Sequence, residues 1–182
     1  MQGVVIWLTG LSGAGKSTIA DALKTRLESQ GQQVQVLDGD LVRAGLCAGL
    51  GFSREDRDEN IRRIAVVADL LSRNGVIVIV AAISPYEQAR RNARALVEEH
   101  GPFVEVYVKT SLEECARRDV NGLYAKAFAG EIKGFTGVDD PYETPSDPEL
   151  VLDTEAHDPE ESAQLVLAKL EELGLVPAAV NA

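Results

Sequence analysis

The sequence predicts an α/β domain, a three-layer α/β/α sandwich built around a five-stranded parallel sheet. Three observations favour it. Short apolar runs alternate with helical patterns, most of the runs lack polar alternation, and the first run leads into a glycine-rich loop and then a helix. With 182 residues, 45% of them hydrophobic, the chain suits one domain with a full core. We therefore expect a single domain over residues 1–182.

The predicted strands and helices follow in order along the chain. Apolar runs predict strands at residues 4–8, 34–37, 76–82, 103–108 and 150–152. Apolar residues at helical spacing predict the connecting helices, as in Ile61, Ile64, Ala65, Ala68 and Leu71. Ser111 and Glu114 predict a capping box at one helix start. At a later helix start, Asp158 is the predicted N-cap, Pro159 the first helical residue and Glu161 a glutamate of the first turn.

The chain is acidic, with a net charge of −11 and a pI of about 4.6. This balance argues against nucleic acid or an anionic membrane as a partner, because both need clustered positive charge. Basic residues nonetheless gather near the motifs described below, which suits a small anionic ligand. They are Arg43, Arg57, Arg62, Arg63, Arg117, Arg118, Lys126 and Lys133.

The sequence shows no sign of export or membrane insertion. The first residues run straight into a predicted strand without a charged leader, so we expect no signal peptide. The longest apolar run, residues 76–83, is too short to cross a bilayer. Cys47 and Cys115 lack the spacing of a zinc site or a disulfide framework. We therefore expect a cytoplasmic protein.

A phosphate-binding loop follows the first predicted strand, with the sequence Gly-Leu-Ser-Gly-Ala-Gly-Lys-Ser at residues 10–17. Glycines let the backbone N–H groups wrap a polyphosphate, and the following helix adds the positive end of its dipole. Lys16 is placed to reach the β- and γ-phosphates, and the Ser17 hydroxyl to ligate Mg²⁺. The alternative is a chance glycine-rich turn. The motif predicts a nucleoside triphosphate but does not identify the phosphate acceptor.

Asp38, Gly39 and Asp40 follow the second predicted strand, at the sheet edge where ligands bind in such folds. Two carboxylates beside a triphosphate can orient the waters of Mg²⁺ or accept a hydroxyl proton. Arg43 is placed to grip an anionic acceptor. The simpler interpretation is a turn and a helix N-cap, with Asp40 serving as both.

A second polar motif, Ile-Ser-Pro-Tyr-Glu at residues 83–87, follows the third predicted strand. Ser84 is predicted to cap the next helix, with Pro85 in its first turn and Glu87 completing a capping box. Between the two motifs, Arg57 and Asn60 share a helix face. Such a face is able to present a guanidinium and an amide to a nucleotide, although a solvated face is the usual interpretation.

Residues 120–148 break the alternation of strands and helices, and we call them the lid segment. Glycines and a proline are interleaved there with Lys126, Phe128, Lys133 and Phe135. Loops this long in a compact domain are usually functional or disordered. The composition predicts a lid that closes over a nucleotide, and the alternative is a plain surface excursion.

These motifs, in this order, resemble the adenylyl-sulfate kinase family. The resemblance covers roughly residues 4–176, and its most specific run is Gly-Glu-Ile-Lys-Gly-Phe-Thr-Gly at residues 130–137. It implies an adenylate-kinase-like P-loop kinase fold and a homodimer. It also implies transfer of the ATP γ-phosphate to the 3′-hydroxyl of adenosine 5′-phosphosulfate (APS). Mg²⁺ is the implied cofactor, with ATP as co-substrate.

The resemblance also assigns roles to individual residues. The implied ATP-binding residues are Gly10, Gly13, Ala14, Gly15, Lys16, Ser17, Thr18 and Arg118. The implied acceptor-binding residues are Asp40, Arg43, Phe52, Arg57, Asn60, Ile83, Ser84, Lys133, Gly134 and Phe135, with the two phenylalanines stacking on the adenine. Ser17 and Asp38, the latter through water, are the metal positions.

Lys16, Asp40 and Ser84 are the candidate catalytic residues, and the family often assigns the serine as a covalent phosphoryl carrier. We expect direct transfer, with Asp40 as base or acceptor-orienting group, because the sequence near Ser84 offers a cap but no base. The chain departs from the family at Ala82, usually phenylalanine, and at Asn121, usually lysine.

Three other interpretations remain open at this point. The nearest is a different small-molecule kinase of the same architecture. A guanine-nucleotide switch is the second, since residues 119–122 fit a loose Asp-x-x-Gly pattern, although no Asn-Lys-x-Asp motif is present. A catalytically silent relative is the third, and Lys16, Ser17, Asp38 and Asp40 argue against it.

Overall fold

The computed structural model describes residues 3–119 and 121–177, and it contains the five-stranded parallel sheet that the sequence predicts. The strand order is β2-β3-β1-β4-β5. The strands are β1 Val5–Thr9, β2 Val34–Asp38, β3 Ile77–Ala81, β4 Phe103–Lys109 and β5 Leu150–Asp153. All five predicted strands are confirmed, with ends shifted by one residue at most places.

Seven helices lie in the described part of the chain and form the two outer layers. They are α1 Lys16–Ser29, α2 Gly39–Ala44, α3 Arg54–Ser72, α4 Glu87–Glu98, α5 Leu112–Arg118, α6 Leu123–Phe128 and α7 Pro159–Glu172. Buried side chains of α1 and α7 pack on one face of the sheet, and those of α3 and α4 pack on the other. The central strands are buried on both faces, which explains their uninterrupted apolar sequences.

Parallel pairing places the carboxyl ends of all strands at one edge. Thr9 of β1 pairs with Tyr107 of β4, and Asp38 of β2 pairs with Ala81 of β3. The phosphate-binding loop, the Asp38–Asp40 motif and the Ser84 motif follow β1, β2 and β3, so the topology brings all three together.

Helix starts agree only partly with the sequence prediction. Asp158 and Glu161 form the complete capping box of α7. At α5, the Ser111 side chain accepts from the Glu114 N–H, but the Glu114 carboxylate binds Arg117 and Arg118 instead of returning the bond. The predicted reciprocal box at α5 is therefore wrong, because two guanidiniums compete for its carboxylate.

The lid segment contains α6 and then an irregular return to β5. Its first residue, Val120, lies outside the described residues. The Tyr124 hydroxyl donates to the Ser12 carbonyl at 2.7 Å, and a Cβ at Gly137 would come within 3.0 Å of Leu11. The segment therefore lies against the phosphate-binding loop. In the part of the chain described, no helix combines the length and apolarity that a membrane span requires.

Candidate active site

The phosphate-binding loop joins β1 to α1, and glycines make its path possible. Gly13 and Gly15 have φ values of 76° and 104°, in the left-handed region that side chains disfavour. Lys16 is only 8% exposed, and its ammonium donates to the carbonyls of Gly10 at 2.9 Å and Leu11 at 2.7 Å. Ser17 and Thr18 are exposed in the first turn of α1. The loop, lysine and hydroxyls thus lie where the sequence predicts them.

Burial gives the Lys16 ammonium an unusual protonation equilibrium. Desolvation lowers the pKa of Lys16 to about 8, although the carboxylates of Asp40 and Asp38 act to raise it. Near neutral pH the ammonium is therefore charged but close to titrating. An anionic ligand beside it would favour the charged form.

Ser17 and Asp38 meet at the predicted metal position. The Ser17 hydroxyl donates to Asp38 Oδ2 at 2.5 Å, which joins α1 to the end of β2. Hydroxyl and carboxylate oxygens are the hard donors that Mg²⁺ prefers, so these residues fit the implied metal. Among residues 3–119 and 121–177, no group of three or more His, Cys, Asp or Glu side chains is arranged to hold a metal ion.

Asp38, not Asp40, is the N-cap of α2. Asp38 Oδ1 accepts from the Asp40 N–H at 3.0 Å, so the prediction that Asp40 caps this helix is wrong. Strand β2 extends through Asp38, which leaves Asp38 at the N-cap position. Asp40 is instead an exposed first-turn residue whose charge acts on Lys16. Its carboxylate is therefore available at the sheet edge.

Ser84 is not a helix cap, contrary to the sequence prediction. Helix α4 begins at Glu87 with Tyr86 at its N-cap, and the Glu87 N–H donates to the Glu143 carboxylate of the lid segment at 2.7 Å. Ser84 has a φ of 44°, in the left-handed region, and the residue is 2% exposed. Its hydroxyl accepts from Trp7 Nε1 at 3.0 Å and donates to the Ala82 carbonyl at 3.2 Å. The left-handed backbone turns the serine toward β1 and away from α4.

Arg57 and Asn60 are buried, so the solvated-face interpretation is wrong. Arg57 donates to the Phe52 carbonyl at 2.9 Å, to the Thr136 hydroxyl at 2.5 Å and to the Gly134 carbonyl. It also forms an ion pair with Asp140 at 3.3 Å. One guanidinium thus joins the loop before α3 to the lid segment.

The Asn60 amide oxygen is buried without a hydrogen-bond partner among the described residues. A buried acceptor of this kind normally has a partner, because leaving it unpaired costs free energy. Asn60 lies one helical turn after Arg57 on α3. Its unpaired oxygen is therefore a candidate hydrogen-bond acceptor on α3.

The two phenylalanines assigned to the acceptor ring lie on loops that Arg57 holds together. Phe52 is 68% exposed, and the Arg43 guanidinium lies 4.5 Å from its ring centre. Phe135 packs edge-on against Tyr124, with ring centres 5.0 Å apart. Because Arg57 binds both the Phe52 and the Gly134 carbonyl, the structure places both loops at one site.

A tight turn supports the lid segment at the assigned residues Lys133, Gly134 and Phe135. The Asp139 carboxylate accepts from the N–H groups of Gly134 at 2.9 Å and Phe135 at 2.7 Å, and these bonds lower the pKa of Asp139. Gly134 has a φ of 66°, which a glycine adopts without strain. Lys133 is exposed.

Arg118 lies on the nucleotide side, against the phosphate-binding loop. Its guanidinium is 3.4 Å from the carbonyls of Gly13 and Ala14, and it donates to the Thr154 carbonyl after β5 at 3.1 Å. Hydrogen bonds from Arg117 and Arg118 lower the pKa of Glu114 to about 2, so this carboxylate stays charged and orients Arg118.

Asp119 is committed to a structural contact, which weakens the switch interpretation. Its carboxylate accepts from the N–H groups of Tyr124 at 2.9 Å and Ala125 at 3.1 Å, at the start of α6. Asn121, one of the departures from the family, lines a small cavity beside the phosphate-binding loop with Ser12 and Gly13. The other departure, Ala82, is buried next to residues 83–86, which connect β3 to α4 and which we call the Ser84 loop.

Several residues of the site are not apparent from the sequence. Thr9 donates to the Ile83 carbonyl at 2.6 Å, and Trp7 donates to the Ser84 hydroxyl. In the sequence, Trp7 and Thr9 look like ordinary residues of a buried strand. Thr136 and Tyr124 attach the lid segment to Arg57 and to the phosphate-binding loop. The only available signal was the specific run at residues 130–137, which contains Thr136.

Comparison with known proteins points to one family. Residues 2–153 match the family model described as adenylylsulphate kinase. An adenylyl-sulfate kinase from Picosynechococcus sp. is 58% identical over 175 residues, which is 96% of this chain and 97% of the relative. A probable adenylyl-sulfate kinase from Aeropyrum pernix is 56% identical over 157 residues, 86% of each chain.

Solved structures agree with the sequence comparison. The structure of the APS kinase of Mycobacterium tuberculosis in complex with AMPPNP and APS is 48% identical, with a TM-score of 0.91 over 93% of this chain and 98% of that one. A gluconokinase from Sinorhizobium meliloti is 19% identical over 94% of this chain and 93% of that one, with a TM-score of 0.62. The second likeness shows a shared fold alone.

Proposed function

The chain belongs to the adenylylsulphate kinase family, and on this premise we propose that it transfers the γ-phosphate of ATP to the 3′-hydroxyl of APS. The products are 3′-phosphoadenylyl sulfate and ADP. The observation that carries the proposal is 58% identity to an adenylyl-sulfate kinase over 96% of the chain. The family match also removes the guanine-nucleotide switch as a competing function.

The phosphate-binding loop supplies the ATP side of the reaction. Backbone N–H groups of residues 13–18 bind the phosphates, and Lys16 stabilises charge on the γ-phosphoryl group as it transfers. Arg118 holds the adenine base of ATP, because it lies between the phosphate-binding loop and the loop after β5. Ser17, and Asp38 through water, would hold Mg²⁺, which neutralises phosphate charge when it is bound.

Asp40 acts on the acceptor hydroxyl. The 3′-oxygen forms a bond to the γ-phosphorus, the bond from that phosphorus to the bridging oxygen of ADP breaks, and the hydroxyl proton passes to the Asp40 carboxylate. This role is supported by the exposed position of Asp40 at the sheet edge and by its electrostatic action on Lys16.

Ser84 positions the acceptor and carries no phosphate. A serine nucleophile needs an adjacent base, whereas the Ser84 hydroxyl donates its proton to the Ala82 carbonyl and accepts from Trp7. Neither partner is able to take up a proton at neutral pH. Direct transfer also needs one displacement where a covalent carrier needs two.

The acceptor lies between α2, α3, the Ser84 loop and the lid segment. Phe52 and Phe135 stack on its adenine, and Arg43 and Lys133 supply positive charge to its phosphosulfate. Arg57 holds these loops in place, Asn60 offers its unpaired amide oxygen, and Ile83 and Gly134 complete the wall.

The proposal also includes a cytoplasmic location, small-molecule partners and a homodimeric state. The net charge of −11 supports small-molecule partners over nucleic acid or an anionic membrane. A hexameric APS kinase from Thiobacillus denitrificans is 42% identical with a TM-score of 0.76 over 96% of this chain, which covers 30% of that longer protein. Sedimentation of the purified chain tests the dimer.

A coupled assay of ADP release tests the reaction. ADP release should depend on APS, and AMP or gluconate at equal concentration should support little turnover. Phosphorus NMR should locate the new phosphate on the 3′-oxygen. Equal turnover with AMP or gluconate would contradict the proposed acceptor. Lys16→Ala serves as the inactive control.

A further inference from the structure

Arg90 of α4 is a buried guanidinium that the reaction described above does not use. It is 2% exposed, although its surroundings in the sequence resemble a charged, solvated helix. It donates to the Ser84 carbonyl at 2.6 Å and to the Glu143 carbonyl at 2.7 Å. It also binds the carboxylates of Glu87 at 2.6 Å and Glu105 at 2.9 Å. A single side chain thus joins the Ser84 loop, the lid segment, α4 and β4.

The backbone that Arg90 holds is strained. Ser84 has a φ of 44°, and a non-glycine residue stays in this region only where its surroundings hold it there. The Arg90 guanidinium donates a hydrogen bond to the Ser84 carbonyl. From β1, Trp7 donates to the Ser84 hydroxyl, and Thr9 donates to the Ile83 carbonyl. The planar fork of an arginine fixes several acceptors at once, which a lysine ammonium does not reproduce.

The same guanidinium fixes the point where the lid segment returns. The Glu143 N–H donates to the Pro85 carbonyl at 2.8 Å, and the Glu143 carboxylate accepts from the Glu87 N–H. Arg90 closes this arrangement by binding the Glu143 carbonyl. The Ser84 loop and the end of the lid segment therefore form one unit, and Arg90 is at its centre.

We propose that Arg90 is a positioning residue for the acceptor: it fixes the Ser84 loop and the end of the lid segment so that both face APS. This role rests on the proposed function, because Ser84 and the lid segment are acceptor contacts there. Arg90 touches neither reacting atom. Its loss should raise the KM for APS and leave the phosphate-binding loop intact.

Arg94 provides a matched control on the same helix. Its guanidinium binds Glu149 at 2.8 Å, Glu98 at 3.2 Å and Glu105 at 3.5 Å. It therefore shares the Glu105 partner of Arg90 and also ties α4 to the chain before β5. Its hydrogen bonds do not extend to Ser84, so Arg94→Lys perturbs the same ionic cluster without removing a contact to the Ser84 loop.

The only tryptophan of the chain reports on the Ser84 loop. Trp7 Nε1 donates to the Ser84 hydroxyl, so a shift of this loop changes the surroundings of the indole and its fluorescence emission. This signal does not depend on turnover, and a loss of stability elsewhere would not move it below the unfolding transition.

The experiment compares Arg90→Lys and Arg94→Lys with the wild type. Arg90→Lys should raise the KM for APS about tenfold with kcat within about threefold, because it weakens contacts that bind the acceptor equally in the ground state and the transition state. Binding of AMPPNP should stay unchanged, and the Trp7 emission should shift. Arg94→Lys should lower thermal stability but keep the wild-type KM for APS, and the emission is compared only between Arg90→Lys and the wild type, because Arg94 lies over Phe103, the ring that stacks on Trp7.

Two results would overturn the positioning role of Arg90 and leave the proposed function intact. One is a wild-type KM and emission in Arg90→Lys, and the other is an equal rise of KM in both variants. Absence of APS-dependent turnover in the wild type would instead overturn the proposed function. If Arg90→Lys does not fold, Glu105→Gln keeps Arg90 but removes one charged partner. It should then raise the KM for APS a fewfold more than Arg94→Lys, and no difference between them would contradict the role.

Discussion

The pH dependence of ATP binding should follow the titration of Lys16. Burial lowers the pKa of this ammonium to about 8 in the free protein, whereas a bound triphosphate keeps it protonated. Binding above this pH therefore requires uptake of a proton. We expect the affinity for AMPPNP to fall as the pH rises from 7 to 9, and the fall to vanish when residue 16 does not titrate.

The magnitude follows from the shifted pKa. If the ammonium must be charged for binding, Kd scales with one plus the ratio of neutral to charged lysine. With a pKa of about 8, Kd should be almost constant up to about pH 7, double near pH 8 and reach about ten times its neutral value at pH 9. Burial raises the pKa of the neighbouring Cys115 thiol, so this thiol titrates later.

Isothermal titration calorimetry with AMPPNP and excess Mg²⁺ measures this dependence. Lys16→Arg should bind with a flat profile, because a guanidinium stays charged throughout. Lys16→Ala should bind weakly with a flat profile and lose about 10²–10³-fold in transfer rate. A flat wild-type profile to pH 9, or the same slope in Lys16→Arg, would refute the reasoning.

The pH dependence of protein stability has the opposite sign, so loss of folded protein does not explain the predicted fall in ATP affinity. The folded-state pKa of Lys16 lies below the unfolded value of 10.5, so the unfolded chain binds more protons between the two values. The contribution of Lys16 to the free energy of unfolding therefore rises with pH in this window, while ATP affinity falls. Denaturant melts at each pH separate the two trends.

Two further substitutions test the acceptor chemistry. Asp40→Asn should lower kcat by about 10²–10⁴-fold, as expected for loss of a general base, with AMPPNP affinity within a fewfold of wild type. Near-normal kcat in that variant would contradict the role of Asp40. Ser84→Ala should keep substantial turnover with a higher KM for APS, and it should lose about 1–3 kcal/mol of stability because Trp7 Nε1 is left buried without an acceptor. A folded but inactive Ser84→Ala would show that the hydroxyl itself takes part in the chemistry.

The sheet and the phosphate-binding loop were predictable because their signals are local. Strands buried on both faces leave uninterrupted apolar runs, and the loop motif places Lys16 and Ser17 by sequence spacing alone. The topology of a parallel sheet then brings Asp38 to the Ser17 hydroxyl.

The errors arise where contacts distant in sequence override local preference. Ser84 matches a capping box in sequence, but Glu143 and Arg90 bind its loop and helix start from elsewhere in the fold. Arg57 has the spacing of a surface residue, yet its partners on the lid segment are 77 and 79 positions away. A helical pattern indicates which residues share a face, but it does not show what covers that face.

The central claim is direct transfer of phosphate from ATP to the 3′-hydroxyl of APS, and the stereochemistry at phosphorus tests it most directly. ATP carrying a γ-phosphoryl group made chiral with three oxygen isotopes is incubated with the enzyme and APS, and the configuration of the 3′-phosphate of the product is determined. A single displacement inverts the configuration, and this is the predicted result. Retention, which two displacements through Ser84 would give, would contradict the account.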